Sequence, residues 1–542
     1  MKKFKRSFVP LAIASIALVA CSSDPTEGEN EGTETDSGSA EDSEEAEEDG
    51  EAAGGEGGNF VLAMPADAVT LDPHQITDVP SHIVTLNLYE NLIMFDEDME
   101  LQPVLAESYE QIDDLTWEFY LREGITFHDG AEFNADAVVT NFDRFLDPET
   151  ASPRASLFEP IESVEAIDEF TVQITTDEPF APLIPHLAHG SAGIISPDAI
   201  EADENITVNP VGTGPFELEN WEQGNEIVLA RYEDYWGDSA ILDNVTLKVV
   251  PEQSTRMAMI EQGEAHFMQQ IEPANVGRID SLDNVEVVTQ EGFGIDYIGF
   301  NTSVEPFDDP LVRQALSMAL DSEAIVNGLY EGYGQVATNP LNDIVNGASA
   351  DVEGLEYDPE QAAELLAEAG YEDGFSATLI TNDANPMRVQ IAELAQDQFG
   401  ELGIDISIEQ MEWGAYLDRV DSGDTEMFIL GWSISSGDAD NGLHPLFHSD
   451  NVGANGNQTF FENDELDELL DAAREEMDED ARQELYQQAQ QILADEAPMI
   501  YTLHTDYVVG VADSVNDFIH YPNGQFPFWQ ISISEEAGDS SY

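Results

Sequence analysis

From Phe60 onward two hydrophobic rhythms alternate along the chain. Thr116-Trp117-Glu118-Phe119-Tyr120-Leu121 places large apolar residues at every second position, and Thr171-Val172-Gln173-Ile174-Thr175 does the same. A period of two is the signature of a strand with one buried face. Other stretches repeat at helical spacing. Asp358-Pro359-Glu360 supplies an N-cap, a first-turn proline and an early acid; Ala362, Leu365, Leu366 and Ala369 form one face, and Gly370 closes the segment. A second helix is expected from Asp309-Pro310, carrying Val312, Ala315, Leu316 and Ala319. Two more stripes lie near the end, Leu466, Leu469, Leu470 and Ala473, then Leu485, Ala489, Ile492 and Leu493. Alternating strands and helices predict an α/β fold. No internal repeat breaks the pattern between residues 60 and 542.

The amino terminus is different. Met1–Arg6 is basic and Phe8–Ala20 is an apolar run of 13 residues. That is shorter than the ~20 residues a membrane span needs, and it fits the h-region of an export signal over residues 1–20. The run ends Leu18-Val19-Ala20-Cys21, which resembles the lipobox of bacterial lipoproteins. The resemblance implies that Cys21, the chain's one cysteine, carries a diacylglycerol anchor and palmitate. Residues 22–59 contain no Ile, Leu, Val, Met, Phe, Trp or Tyr, and 15 of these 38 residues are acidic, so residues 21–59 are expected to form a disordered tether. Such a tether would reach about 35 Å from the membrane.

Charge narrows the function classes. The 542 residues hold 113 Asp and Glu against 16 Lys and Arg, a formal charge of −97. Four of the 16 basic residues lie in the first six positions, which leaves 12 for everything beyond residue 20, Lys248 being the one lysine among them. No basic stripe is available to neutralise phosphates, so nucleic acid is not an expected partner. The even acidic excess suits a high-salt medium, where the Debye length falls to about 3 Å at 1 M and carboxylates tolerate one another.

Catalytic patterns are missing. There is no Gly-x-Ser-x-Gly elbow, phosphate loop or His-Glu-x-x-His, and Cys21 is assigned to lipid. His444 and His448 are four apart, but Pro445 intervenes and no carboxylate helix is evident beside them, so no metal site is expected. Asp438-Ala439-Asp440-Asn441-Gly442 opens like a calcium loop, yet its twelfth position is Ser449.

Several blocks resemble, in order from about residue 60 to 530, the family 5 solute-binding proteins of ABC importers. They are Leu88-Tyr89-Glu90-Asn91-Leu92, Leu105-Ala106-Glu107-Ser108-Tyr109, Thr116–Gly124 with Phe127-His128-Asp129-Gly130, Gly212-Thr213-Gly214-Pro215-Phe216, Pro306–Asp309 with Val312–Leu316, Gly431-Trp432 and Ala497–Tyr501. Gly431-Trp432-Ser433, Gly437-Asp438-Ala439-Asp440 and Leu443-His444-Pro445-Leu446-Phe447 are most similar to the glutathione-binding branch. The resemblance implies a two-lobed α/β binding protein of type II with a hinge. It places lobe I at 60–300, with an inserted subdomain near 82–196, lobe II at 301–501, and a return to lobe I over 502–542. The hinge would cross near Phe300 and Tyr501.

Implied with the fold is a monomeric binding protein with no cofactor and no catalysis, anchored by lipid to the outer face of the cell membrane or in the periplasm. It would capture glutathione or a short peptide and pass it to a permease driven by ATPase subunits. The alternatives are a general dipeptide or oligopeptide binder, a secreted hydrolase, and a stand-alone peptide sensor. Peptide binders of the family carry an Asp three residues after this Trp; here the position is Ser435. That leaves Asp438 or Asp440 to take an ammonium, though both read equally as turn residues beside Gly437 and Gly442. Arg388 lies near the position of a carboxylate-binding Arg in relatives. Thr77, Asp78 and Ser81 follow Leu71-Asp72-Pro73 in a region that lines the cleft in relatives, and read as well as a solvated loop. Trp432 is either a ligand platform or core; Arg122 and Arg313 are expected to be structural.

Overall fold

The computed structural model describes residues 57–202, 205–383, 385–454 and 456–534. The export signal, Cys21 and all but the end of the acidic tether lie outside the described residues. No described helix is long and apolar enough to cross a membrane.

Turn chemistry sets the predicted helices where the sequence puts them. Asp309 caps Pro310–Ala319 by accepting from Leu311 N–H, and Asp358 caps Pro359–Glu368 by accepting from Glu360 and Gln361 N–H. The strands Thr116–Leu121 and Thr171–Thr176 pair antiparallel, within a four-stranded sheet completed by Ala106–Asp113 and Ile161–Asp168. Phe119, Val172 and Ile174 from this sheet meet Val138, Phe142 and Phe145 of the helix Ala135–Leu146 in a core of their own.

An eleven-stranded mixed sheet runs through both lobes. Its axis is the antiparallel pair Val285–Phe300 and Met499–Ala512. On one side lie Phe267–Met268, Asn59–Met64, Asn244–Val249, Glu226–Arg231 and Phe216–Glu222; on the other, Met427–Ser433, Ser376–Asn382 and Asp405–Met411. The first group packs with Phe526, Phe528 and Ile531 from the chain's end. In the second lobe the period of two divides the axis strand between two cores. Phe293, Ile295 and Tyr297 face the helices Ala439–Phe447, Asp464–Glu475 and Glu479–Glu496, while Ile298 and Phe300 face Pro310–Ala319, Pro359–Glu368 and Pro386–Glu401.

The axis pair has a register break between Glu291 and Ile295. At Gly292 a Cβ would lie 2.6 Å from the Thr505 carbonyl oxygen, so the strands approach there more closely than a side chain allows. Val285 and Val508 belong to a core with Met257 and Ile260, whereas Phe293 and Tyr501 belong to a second-lobe core. The axis strand thus changes cores at the break.

Candidate binding cleft

Strands Ser376–Asn382, Asp405–Met411 and Met427–Ser433 run parallel, so their carboxyl ends open on one edge. Crevices at such edges are the usual ligand positions of α/β sheets. Arg388 stands there. Asn385 caps the helix Pro386–Glu401, accepting from Met387 and Arg388 N–H, and this places the arginine in the first turn. Its Nη2 donates to Asp296 Oδ1 at 2.6 Å. Burial works against the guanidinium's charge, but Asp296 outweighs it and the pKa is raised. Arg388 Nε is buried with no hydrogen-bond partner. Gly431 passes so close that a Cβ there would overlap Asp296 Oδ1 and Arg388 Nη2. The glycine is required by the ion pair.

Arg388 lines a cavity of about 510 Å³ whose walls come from both lobes. Pro65, Val79, Pro80 and Gln269 face it from the first lobe, Tyr330, Tyr333 and Met387 from the second, and Thr505–Val509 from the axis. Gln269 Oε1 is also buried without a partner. The size falls within the ~300–1,000 Å³ typical of small-molecule sites.

Of the segment expected to line the cleft, Val79 and Pro80 border the cavity. Asp78 caps the helix Val79–Thr85, accepting from Ser81 N–H at 2.9 Å and Ser81 Oγ at 2.7 Å. Ser81 Oγ accepts in turn from Val69 and Thr70 N–H, and the residue is fully buried. With its hydroxyl fully engaged, Ser81 has nothing to offer a ligand. Asp78 and Ser81 instead fix the turn that presents Val79 and Pro80. Thr77 is exposed and is not among the residues lining the cavity.

The acidic candidates form a different cluster. Trp432 is half-buried, and its Nε1 donates to the Asn441 carbonyl at 2.8 Å; Ser435 is half-buried nearby in sequence. Asp438 caps Ala439–Phe447 and is gripped at both oxygens by Arg482, at 2.7 and 2.8 Å. Asp440 is held the same way by Arg474, at 2.8 and 3.3 Å. Both aspartates are buried. Burial alone would raise the Asp440 carboxyl, yet Arg474, followed by His444 and His186, holds it well below the usual range. Asp438 borders a separate cavity of about 880 Å³ with Met99, Trp117 and Phe293. A ligand ammonium arriving at either aspartate would meet a carboxylate already neutralised. Arg474 and Arg482 are the partners that sequence reading missed; their signal was their rarity in a chain with so few cations.

Arg474 also joins the lobes. Its carbonyl accepts from Ala181 N–H at 2.8 Å, its guanidinium lies 5.4 Å over the Phe180 ring, and His186 Nε2 is 3.5 Å from Asp440 Oδ2. The family-block arginines are structural: Arg122 donates to the Val104 carbonyl, and Arg313 to the Phe307 carbonyl and Glu496.

One expectation about the histidine pair needs correction. A carboxylate helix does stand beside it, since Asp471 of Asp464–Glu475 comes 3.3 Å from His448 Nε2 and 3.9 Å from His444 Nε2. The lone pairs are nevertheless directed elsewhere. His448 Nδ1 accepts from Asp450 N–H, which puts the proton on Nε2, and His444 Nε2 faces the donor-only Nη1 of Arg474 at 3.2 Å. In this hydrogen-bond arrangement neither ring presents a free Nε2 lone pair to a metal ion.

Comparison with known proteins agrees with this architecture. The family model "Bacterial extracellular solute-binding proteins, family 5 Middle" matches residues 100–454. The glutathione-binding protein GsiB of Salmonella typhi is 37% identical over 424 residues, covering 77% of this chain and 83% of that protein. Among solved structures, the periplasmic binding protein DppA from Helicobacter pylori, in complex with the peptide STSA, superposes with a TM-score of 0.80 at 30% identity, over 89% of this chain and 99% of that one. The oligopeptide-binding protein AppA from Bacillus subtilis, holding a nonapeptide, gives a TM-score of 0.78 at 27% identity, over 89% and 100%. A two-lobed fold with an interlobe cavity, matched over most of its length, identifies the chain as a member of family 5 of the bacterial extracellular solute-binding proteins, the capture components of ABC importers.

Proposed function

We propose that this protein captures glutathione or a similar short peptide outside the cell membrane and delivers it unchanged to its permease. The observation that carries this reading is the 510 Å³ cavity between the lobes, lined by Arg388 from one and Gln269 from the other, each with a buried polar atom that lacks a partner. Buried polar groups are nearly always paired. A cavity walled by an arginine and an amide side chain from facing lobes suits a guest with both carboxylate and amide groups, and a guest touching both lobes favours the closed form. Similarity to GsiB supports glutathione. A second reading, a general dipeptide or oligopeptide binder, is favoured by the likeness to DppA and AppA.

The hinge lies at Gly292–Gly294 and Thr505, where the axis strands lose register and change cores. The monomer is anchored through lipidated Cys21, and its acidic surface suits concentrated salt. Calorimetry in molar salt with glutathione, its disulfide and a dipeptide panel tests the ligand. Micromolar binding of glutathione alone supports the first reading, binding across the panel supports the second, and turnover of any of them would overturn both. Loss of palmitate labelling in Cys21→Ala tests the anchor.

A further inference from the structure

A third cavity, of about 580 Å³, lies in the first lobe, walled by residues from 86–104, 215–236 and 521–530. It shares no residue with the cavity of Arg388 and meets that of Asp438 at Phe95 and Asp98 alone. We infer that it is a second binding site, which takes an alkylammonium cation between the rings of Tyr235, Tyr521 and Trp529 and the carboxylate of Glu97.

Its walls select charge first. Four acids line it, Glu90, Asp96, Glu97 and Asp98, and no Lys, Arg or His does. Two of the four are already used. Glu90 takes the Tyr235 hydroxyl at 2.7 Å and Trp236 Nε1 at 2.8 Å, and so fixes both rings on the wall. Asp96 holds the turn that follows it, accepting from Asp98 and Glu100 N–H and from the Gln102 amide. Glu97 and Asp98 are exposed and enter no ion pair among the described residues. A solvated turn would account for these carboxylates by themselves.

Tyr521 is what a solvated turn leaves unexplained. The residue is 4% exposed and lines the cavity, and its hydroxyl makes no hydrogen bond among the described residues. Burial, then Asp96 and Glu97, push that hydroxyl up to about 12, so the phenol stands toward the acids of the turn. Buried polar groups are nearly always paired, and the cavity is where the missing partner has room to sit. A guest with a positive charge and a hydroxyl answers the acids and the phenol together.

The rings choose the kind of cation. Five of the fifteen residues on the walls are aromatic, Phe95 and Trp236 with the three rings named above. Small inorganic cations seek shells of oxygen, whereas a weakly hydrated alkylammonium gains from ring faces. The wall already uses this attraction once, since the Arg122 guanidinium lies 5.6 Å from the centre of the Trp236 ring. Among the described residues no Arg or Lys stands over Tyr235, Tyr521 or Trp529. Trp529 is half-buried, and its carbonyl accepts from Ile241 N–H, which ties its backbone to the lobe while the ring borders the cavity. No residue of the second lobe takes part, so occupancy needs no closure and does not depend on peptide capture.

The test is calorimetry on the purified protein in molar potassium chloride with two probes, choline and its uncharged analogue in which carbon replaces the nitrogen. Choline should bind about tenfold more tightly than the analogue. Glu97→Gln, an exposed change with no structural bond to lose, should weaken choline about threefold and leave the analogue unaltered. Trp529→Leu should weaken choline about tenfold. Should that variant unfold, Tyr521→Phe, which keeps the packed ring and removes the hydroxyl, takes its place, with an expected loss of about threefold. Saturating glutathione should leave choline binding unchanged. Equal binding of choline and its analogue, or no binding of either, would overturn the inference. So would wild-type affinity for choline in Glu97→Gln or in the ring variant. Competition between choline and glutathione would overturn it as well, by moving the cation to the interlobe cavity. Glutathione affinity is read in a separate titration, and the transport reading stands or falls on that one alone.

Discussion

Two buried arginine–aspartate pairs use the same chemistry to opposite ends. In Arg482–Asp438 every guanidinium nitrogen is engaged: Nε donates to the Ala473 carbonyl, Nη1 and Nη2 to Asp438, and Nη2 also to the Tyr486 hydroxyl. In Arg388–Asp296 one nitrogen is engaged and Nε is left open. Side-chain exposures are similar, 11% and 1% for the first pair, 15% and 9% for the second. Burial therefore does not separate them. Completeness does: the first network is fully satisfied and fixes the position of helices, while the second leaves a guanidinium nitrogen without a partner beside a cavity.

The largest test of this contrast is Arg482→Met. It strands a buried carboxylate, and about 3–5 kcal/mol of stability should be lost, measured by denaturant unfolding in concentrated salt. A loss below about 1 kcal/mol would mean that the pair is not the closed clamp it resembles. Gly431→Ala should come next. The new methyl overlaps the Arg388–Asp296 pair, and overpacking of this kind costs about 1–3 kcal/mol, here with a parallel loss of ligand affinity. Unchanged affinity in a folded Gly431→Ala protein would separate the pair from binding. Arg388→Lys keeps the charge and removes the fork. Affinity should fall about tenfold, or ~1.4 kcal/mol, with little change in thermal midpoint.

A third buried acid sharpens the comparison from the other side. Glu90 has no guanidinium bonded to it among the described residues and is held by the Tyr235 hydroxyl at 2.7 Å and Trp236 Nε1 at 2.8 Å. Burial pushes its carboxyl from 4.5 up to about 7, against those hydrogen bonds. A raised carboxyl favours the protonated folded form, so its stabilising contribution is complete below pH 4.5 and is lost as pH rises through about 7. Unfolding curves of Glu90→Gln should lack this part of the wild-type decline; an identical pH slope would show that Glu90 is not its source. The smallest effect belongs to Thr77→Ala. Its exposed side chain lies outside the cavity lining, so affinity should be unaltered and stability should move by less than about 0.5 kcal/mol.

Much of the fold was legible because its signals are local. Asp309-Pro310 and Asp358-Pro359 mark helix starts through backbone hydrogen bonds made two or three residues away. Arg388 was singled out by its rarity and by resemblance to relatives, and the structure places it on the cavity wall beside Asp296. The fate of Asp438 and Asp440 was not, because their partners lie 44 and 34 residues away, on helices whose apolar stripes say nothing of which polar face they turn inward.

By itself the sequence determined the alternation of strands and helices, the helix ends, the export and lipidation expectation, the shortage of cations and the family. These depend on spacing and composition within a few turns of chain. Only the tertiary structure decided which carboxylates are neutralised and which remain open, and where the two lobes exchange cores. Those properties depend on distances between residues far apart in sequence, and in a chain of −97 the position of a few guanidinium groups decides which buried acids are neutralised.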